Sequence, residues 1–256
     1  MIRTDFDDDL GEIVLDAPKK RNALDAAALA ALDDALVRAE EAGVRALLLR
    51  GEGKGFSAGR DISAVDPATD DALAFLQDHV TPVLHRLADF PAPTFAAVHG
   101  GCLGVGLGLA IAADVVYVAE DATIGSPFAA LGATLDSGGH ALFTERLGAH
   151  RTLDLIYTGD LMSGAEAVAG GLFSRTMPAE ELLEFTRSRA ARAAAGPTLA
   201  FRESKALVAR IRDERLGLWE SLQQENRAQG RLCDTADYAE GFAAFQQKRT
   251  PVFRGE

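Results

Sequence analysis

The chain has 256 residues, of which 48% are hydrophobic and 25% charged, and it carries a net charge of −12. This length suits one domain with a proper core, and the acidic balance argues against nucleic acid and anionic membranes, which need basic clusters. Two cysteines in no metal or CxxC spacing, an acidic start (Met1 to Asp9) without an apolar signal core, and no apolar run of spanning length set the expectation of a reduced, cytoplasmic protein without a membrane segment.

In chain order, Gly11 to Leu15 reads as a short strand, closed by Asp-Ala-Pro-Lys-Lys-Arg-Asn. Asp25 can cap a helix from Ala26 to about Ala42, with Leu29, Leu32, Leu36 and Val37 on one face and Gly43 at its end. A strand over Val44 to Leu49 leads into a glycine-rich turn, Gly51-Glu-Gly-Lys-Gly-Phe-Ser-Ala-Gly-Arg-Asp, and Ser63 to Thr69 reads as a loop. A helical pattern follows from Asp71 to about Phe90, with Pro82 expected to kink or divide it. The run Thr94 to Val98 reads as a buried strand, and glycines at 100, 101, 104, 106 and 108 lead into an apolar helix ending near Ala113.

Further strands are expected at Asp114 to Ala119 and Ala122 to Ile124, then a loop from Leu131 to Gly139 and short helices over 140–147 and 149–157. Ser163-Gly-Ala-Glu is a capping-box pattern opening a helix that ends at Gly170-Gly171. Beyond about Glu180 the pattern is helical and charged, interrupted at Gly196-Pro197 and resuming from Asp234 to Lys248. Strands alternating with helices, then helices alone, predict an α/β core over 1–195 and a helical layer over 196–256.

Two glycine-rich turns, each after an apolar strand, strip side chains from their surroundings and leave backbone N–H groups free at a helix start. The spacing after His99 misses the G-x-G-x-x-G dinucleotide fingerprint, because Leu109 stands where its last glycine belongs, and no P-loop Lys-Ser/Thr follows. Gly55-Phe-Ser57-Ala-Gly59 spells the G-x-S-x-G elbow of serine hydrolases, but the following residues read as a loop rather than a helix. None of the five histidines has metal-ligand spacing. Asp136, at a loop-to-helix junction, has two readings: a helix N-cap, or a carboxylate in an apolar cleft whose desolvation fits it for proton transfer.

In series, Asn22-Ala-Leu-Asp, Lys54-Gly-Phe-Ser-Ala-Gly-Arg-Asp-Ile, Ala97-Val-His-Gly-Gly-Cys-Leu-Gly-Val-Gly and Leu131-Gly-Ala-Thr-Leu-Asp-Ser-Gly-Gly resemble the crotonase (enoyl-CoA hydratase/isomerase) superfamily. Tyr157-Thr-Gly-Asp with Ser163-Gly-Ala-Glu-Ala, and the tail Asp237-Tyr-Ala-Glu-Gly-Phe with Lys248-Arg-Thr-Pro-Val-Phe, extend the likeness over essentially the whole chain. The resemblance implies a spiral of ββα units with a C-terminal helical layer, assembled as a homotrimer or a hexamer of two trimers. It implies an acyl-CoA substrate, with no cofactor beyond the coenzyme A of that substrate. It sets the two oxyanion-hole N–H groups on Arg60 and Val105. The acyl-CoA contacts fall on Arg21, Ala23, Ala58, Asp61, Ile62, Gly104 and Phe128.

The two glutamates of a typical hydratase fall here on Gly108 and Phe128, neither of which carries a proton. Asp136 matches the catalytic aspartate of dienoyl-CoA and epoxyphenylacetyl-CoA isomerases, and the chain is most similar to that type. The expectation is an acyl-CoA isomerase with Asp136 as proton shuttle. Alternatives are a hydratase with non-standard acid–base groups, a dehalogenase or thioesterase with Asp136 as nucleophile, and a non-catalytic acyl-CoA binder.

Overall fold

The structure is a computed structural model that describes residues 1–6 and 9–256. Asp7 and Asp8, part of the acidic start, lie outside the described residues. A six-stranded sheet is formed by β1 (Ile2–Asp5), β2 (Leu10–Leu15), β3 (Ala46–Gly51), β4 (Thr94–Val98), β6 (Val115–Ala119) and β9 (Arg175–Met177), in that spatial order. Only the β1–β2 pair is antiparallel. β3 and β4 read as near-continuous apolar runs because they are central and parallel, covered on both faces, so almost every residue in them is buried. A second sheet, in the order β5 (Gly101–Leu103), β7 (Thr123–Gly125) and β8 (Met162–Ser163), sits where β4 hands over to the glycine-rich turn.

The helices are α1 (Ala26–Glu41), α2 (Ala72–Phe75), α3 (Thr81–Ala88), α4 (Val105–Ala112), α5 (Gly139–Leu147), α6 (Ala149–Thr158), α7 (Gly164–Ala169) and α8 (Ala179–Ala194). They are followed by α9 (Thr198–Glu214), α10 (Leu218–Leu232) and α11 (Ala236–Gln247). Asp25 caps α1 through the Ala28 N–H, and Ser163 with Glu166 completes the expected capping box on α7. α4 is apolar on all sides and buried along its length, as a helix at the centre of a domain must be. α8 lies across β3, β4 and β6.

Three sequence expectations are refined. The glycine stretch after His99 is not only a turn, for Gly101 to Leu103 pair with Thr123 to Gly125 as a strand. The helix expected from Asp71 to Phe90 is divided by a π-helical turn over Leu76–Val80, with Thr81 N–H donating to Leu76 O just before Pro82. Pro82 has no N–H to give, so the helix restarts with it in the first turn. Leu216 and Gly217, after a left-handed Arg215, separate α9 from α10, a break with no expected counterpart in the sequence reading.

The C-terminal helices are tied to the core by specific polar contacts. Arg45 donates to Gly196 O, Phe253 O and Thr198 Oγ1 at 2.6, 3.0 and 3.1 Å. Buried Asp237 accepts the Arg254 and Gly255 N–H groups, folding the tail back over α11. Lys205 on α9 stands 3.0 Å from Asp114 at the start of β6. A groove of about 330 Å³ remains between α9, α10, α11 and the tail, lined by Leu199, Leu232, Tyr238, Phe242, Phe245 and Phe253 among others. At the start of α10, Leu218 and Trp219 are also exposed. Cys102 is sealed in the core, where burial pushes its thiol up, whereas Cys233 is exposed at the end of α10. Among the described residues, no helix is long and apolar enough to cross a membrane.

Candidate active site

The site is built from two backbone segments held side by side. Residues 21–24 run beside 58–61: Ala58 N–H donates to Arg21 O, Leu24 N–H to Gly59 O and Asp61 N–H to Leu24 O. In this parallel bridge Leu24 pairs with the neighbours of Arg60, so the Arg60 backbone groups face away from Leu24. On the other flank, Ser57 pairs with β5 through Gly101 O and the Leu103 N–H. A methyl group built on Gly59 would stand 2.7 Å from Leu103 O and 3.4 Å from the Val105 nitrogen. Arg60 thus lies beside the start of α4, where Val105 is the first residue and its N–H has no partner within the helix.

Asn22 locks this arrangement. Its amide donates to Glu52 O and Gly55 O at 2.9 and 2.8 Å and accepts the Ala17 N–H at 2.8 Å. Ser57, wholly buried, donates its hydroxyl to Asn22 O and accepts the Gly59 N–H. The Ser57 hydroxyl is thus committed to the backbone and inaccessible, and the G-x-S-x-G string is not a nucleophile elbow. His140 is bonded to Thr134 rather than to this serine.

The expected coenzyme A contacts come together on this same pairing. Arg21 is exposed in a left-handed conformation, Ala23 and Ala58 are half-buried, and Ile62 is exposed. The Asp61 carboxyl is held down to about 2, first by the Ser63 hydroxyl and then by Lys20, whose Nζ lies 2.9 Å away. Lys20 was not singled out from the sequence; its cue was only adjacency to Arg21.

Opposite the two N–H groups, Phe128 lies in a short 3-10 turn (Phe128–Leu131), its ring over Gly104. A Cβ at 104 would meet that ring at 3.1 Å, and Gly104 has φ +52°. The position therefore needs glycine twice over, for space and for backbone. Asp136 follows on the same loop. Gly138, not Asp136, is the N-cap of α5, and no side chain caps that helix. The N-cap reading of Asp136 is thereby overturned. Its Oδ1 instead accepts the Ser137 hydroxyl at 2.8 Å. Burial pushes the Asp136 carboxyl above its ordinary value, against the opposing pull of the Ser137 hydroxyl and of the Arg60 charge.

The Asp136–Ser137 turn packs on α4 one helical turn beyond Val105: a Cβ at Gly108 would stand 2.5 Å from the Ser137 Cβ. Positions 105 and 108 share one face of a helix, so the carboxylate and the two N–H groups belong to one cleft. The Arg60 side chain closes its rim, with Nη1 2.9 Å from Asp70 Oδ2, Nη2 on Asp70 Oδ1, and its guanidinium 4.2 Å from the Phe75 ring centre. The segment after Ile62, unpatterned in sequence, is thereby anchored. Ser137 and Asp70 were also missed by sequence reasoning, and nothing in their spacing signals them.

Residues 5–256 match the family described as enoyl-CoA hydratase/isomerase. The chain belongs to that family. YhaR of Bacillus subtilis (strain 168), provisionally named an enoyl-CoA hydratase/isomerase, is 35% identical over 96% of this chain and 95% of its own length. The 2,3-dehydroadipyl-CoA hydratase of Escherichia coli (strain K12) is 32% identical over 95% and 94%. A crystal structure from Mycobacterium abscessus, also provisionally named an enoyl-CoA hydratase/isomerase, covers all of both chains with a TM-score of 0.92 at 32% identity. The fold is the crotonase spiral with C-terminal helices, and the chain is an enzyme of the enoyl-CoA hydratase/isomerase family.

Proposed function

We propose that this family member is an acyl-CoA isomerase in which Asp136 carries the proton. The thioester oxygen sits between the Arg60 and Val105 N–H groups, which hold the negative charge as the enolate forms. The Asp136 carboxylate takes a proton from one carbon of the acyl chain and, as a carboxylic acid, returns it to another, so the double bond moves and no atom is added. Phe128 lines the acyl pocket and keeps water from the enolate. Arg21, Ala23, Ala58, Asp61 and Ile62 receive the coenzyme A portion.

The observation that carries this reading is the Asp136 turn seated against Gly108. With Gly at 108 and Phe at 128, the positions matching the hydratase glutamates offer no proton carrier. Asp136 is half-buried, its turn seated against Gly108 one helical turn from Val105, and burial pushes its carboxyl above the ordinary value, as suits a group that must both take and give a proton. The second reading is hydration with Asp136 as the only acid–base group, favoured by the hydratase name of the E. coli relative.

Solvent deuterium uptake and product mass with 2-hexenoyl-CoA, 3-hexenoyl-CoA and phenylacetyl-CoA separate the two readings, the 2-enoyl thioester being the one that can add water. Exchange or double-bond migration is expected in the parent, with a loss of about a thousandfold in Asp136→Asn. A product heavier by one water selects hydration, and an undiminished Asp136→Asn removes the aspartate from both readings.

Exposed apolar faces of the C-terminal region 196–256 support a reading of this protein as an oligomer. Phe242 and Phe245, 54% and 83% exposed, line the apolar groove, and Leu218 and Trp219 at the start of α10 are 73% and 75% exposed, more apolar surface than a solitary chain leaves in water. Our proposal is a homotrimer or a hexamer of two trimers, with this region at the subunit contacts. Light scattering is expected to give a multiple of three times 27.0 kDa, and a stable monomer would remove the assignment.

A further inference from the structure

Ser137 is one of five non-glycine residues with positive φ among those described, and the two residues after it, Gly138 and Gly139, are the type that takes such a conformation freely. A serine held at φ +52° beside glycines is a conformation that the surrounding structure has to enforce. Two contacts enforce it. The hydroxyl donates to Asp136 Oδ1 at 2.8 Å. The Cβ fills the space above Gly108, where a side chain on α4 would otherwise stand: a Cβ there would lie 2.5 Å from the Ser137 Cβ and 3.0 Å from its carbonyl oxygen.

We propose that Ser137 is a positioning residue: its hydroxyl orients the Asp136 carboxylate toward the face of α4 that carries the Val105 N–H, and Gly108 is the bare seat that lets it do so. The inference rests on Asp136 as proton carrier. It also changes the meaning of Gly108. In this chain a side chain at 108 and Ser137 compete for one volume, since a Cβ at 108 would stand 2.5 Å from the Ser137 Cβ. Gly108 is then a condition for the site rather than a missing group.

Among the described residues, the charged and titratable groups around Asp136 are few. Arg60 faces it from the strand segment, with Asp70 paired to that guanidinium, and His140 follows on α5 but is bonded to Thr134. Removing the Ser137 donor takes away a hydrogen bond that favours the ionised carboxylate, so the acid limb of the rate profile moves to higher pH.

The test compares Ser137→Gly, Ser137→Asn and Asp136→Asn by deuterium exchange into 3-hexenoyl-CoA and phenylacetyl-CoA across pH. Glycine suits the backbone at 137, so Ser137→Gly is expected to melt no lower than the parent. Its kcat should fall about tenfold with KM nearly unchanged, and its acid limb should move up. Asparagine accepts positive φ and keeps a donor, so Ser137→Asn should recover most of that loss. Parental kcat and pH profile in Ser137→Gly, alongside an inactive Asp136→Asn, overturn the positioning role and spare Asp136. An asparagine variant as slow as the glycine variant overturns the hydrogen bond as its cause. An active Asp136→Asn overturns both assignments.

Discussion

The two sides of the cleft are built by different means. The N–H side rests on backbone pairing: residues 21–24 against 58–61, Ser57 against β5, and α4 started directly behind them. Its key side chains, Asn22 and Ser57, are buried and spend their hydrogen bonds on main-chain atoms. The acid side rests on the loop after β7, a 3-10 turn at Phe128, a left-handed serine and one side-chain hydrogen bond. In the proposed site, a pair of backbone donors tolerates almost any side chain at Arg60 and Val105, whereas the acid depends on the identity of three residues, Gly108, Asp136 and Ser137. In the reaction we propose, the part that steadies charge is general, and the part that selects the reaction is local.

Val105→Pro breaks the general side most sharply. Proline is accepted at the first helical position but brings no N–H, so α4 survives while one donor is lost. Turnover is expected to fall about 10²–10³-fold, as when a single oxyanion donor is removed. Val105→Ala keeps the N–H and should stay within the same order of magnitude. Steady-state rates on 3-hexenoyl-CoA measure both, and equal losses in the two variants would show that the side chain rather than the N–H matters.

A smaller effect sharpens the acid side. Arg60→Met keeps the backbone donor but removes the charge that favours ionised Asp136. The acid limb should move to higher pH, by less than about one unit because Asp70 already neutralises much of that charge. The rate at high pH should stay near that of the parent. An acid limb that does not move, or that moves to lower pH, would mean that the Arg60 charge does not favour ionised Asp136.

Much of the general side is legible in the sequence. Buried parallel strands are apolar runs, Asp25 and Ser163 are recognisable caps, and the glycines before α4 announce a close backbone approach. The short strands and the acid side are not. β5, β8 and β9 span three residues or fewer, too short for a period to show. Serine does not advertise a positive φ, and Asp70 reaches Arg60 across ten residues without pattern. Asp136 itself was ambiguous from spacing, since a helix start so often takes an aspartate cap; here Gly138 holds that place. Only the resemblance singled Asp136 out.

The two thiols described with the fold differ in a way that makes the chain its own reporter. Cys102 is sealed beneath the glycine turn with its thiol held in the unreactive protonated form. Cys233 is exposed beside Leu232 and Tyr238, which line the apolar groove. A maleimide dye added to the native protein therefore labels a single known point, at the edge of the surface we assign to assembly. Its accessibility as the protein is diluted becomes a direct optical record of subunits meeting and parting, with no residue changed.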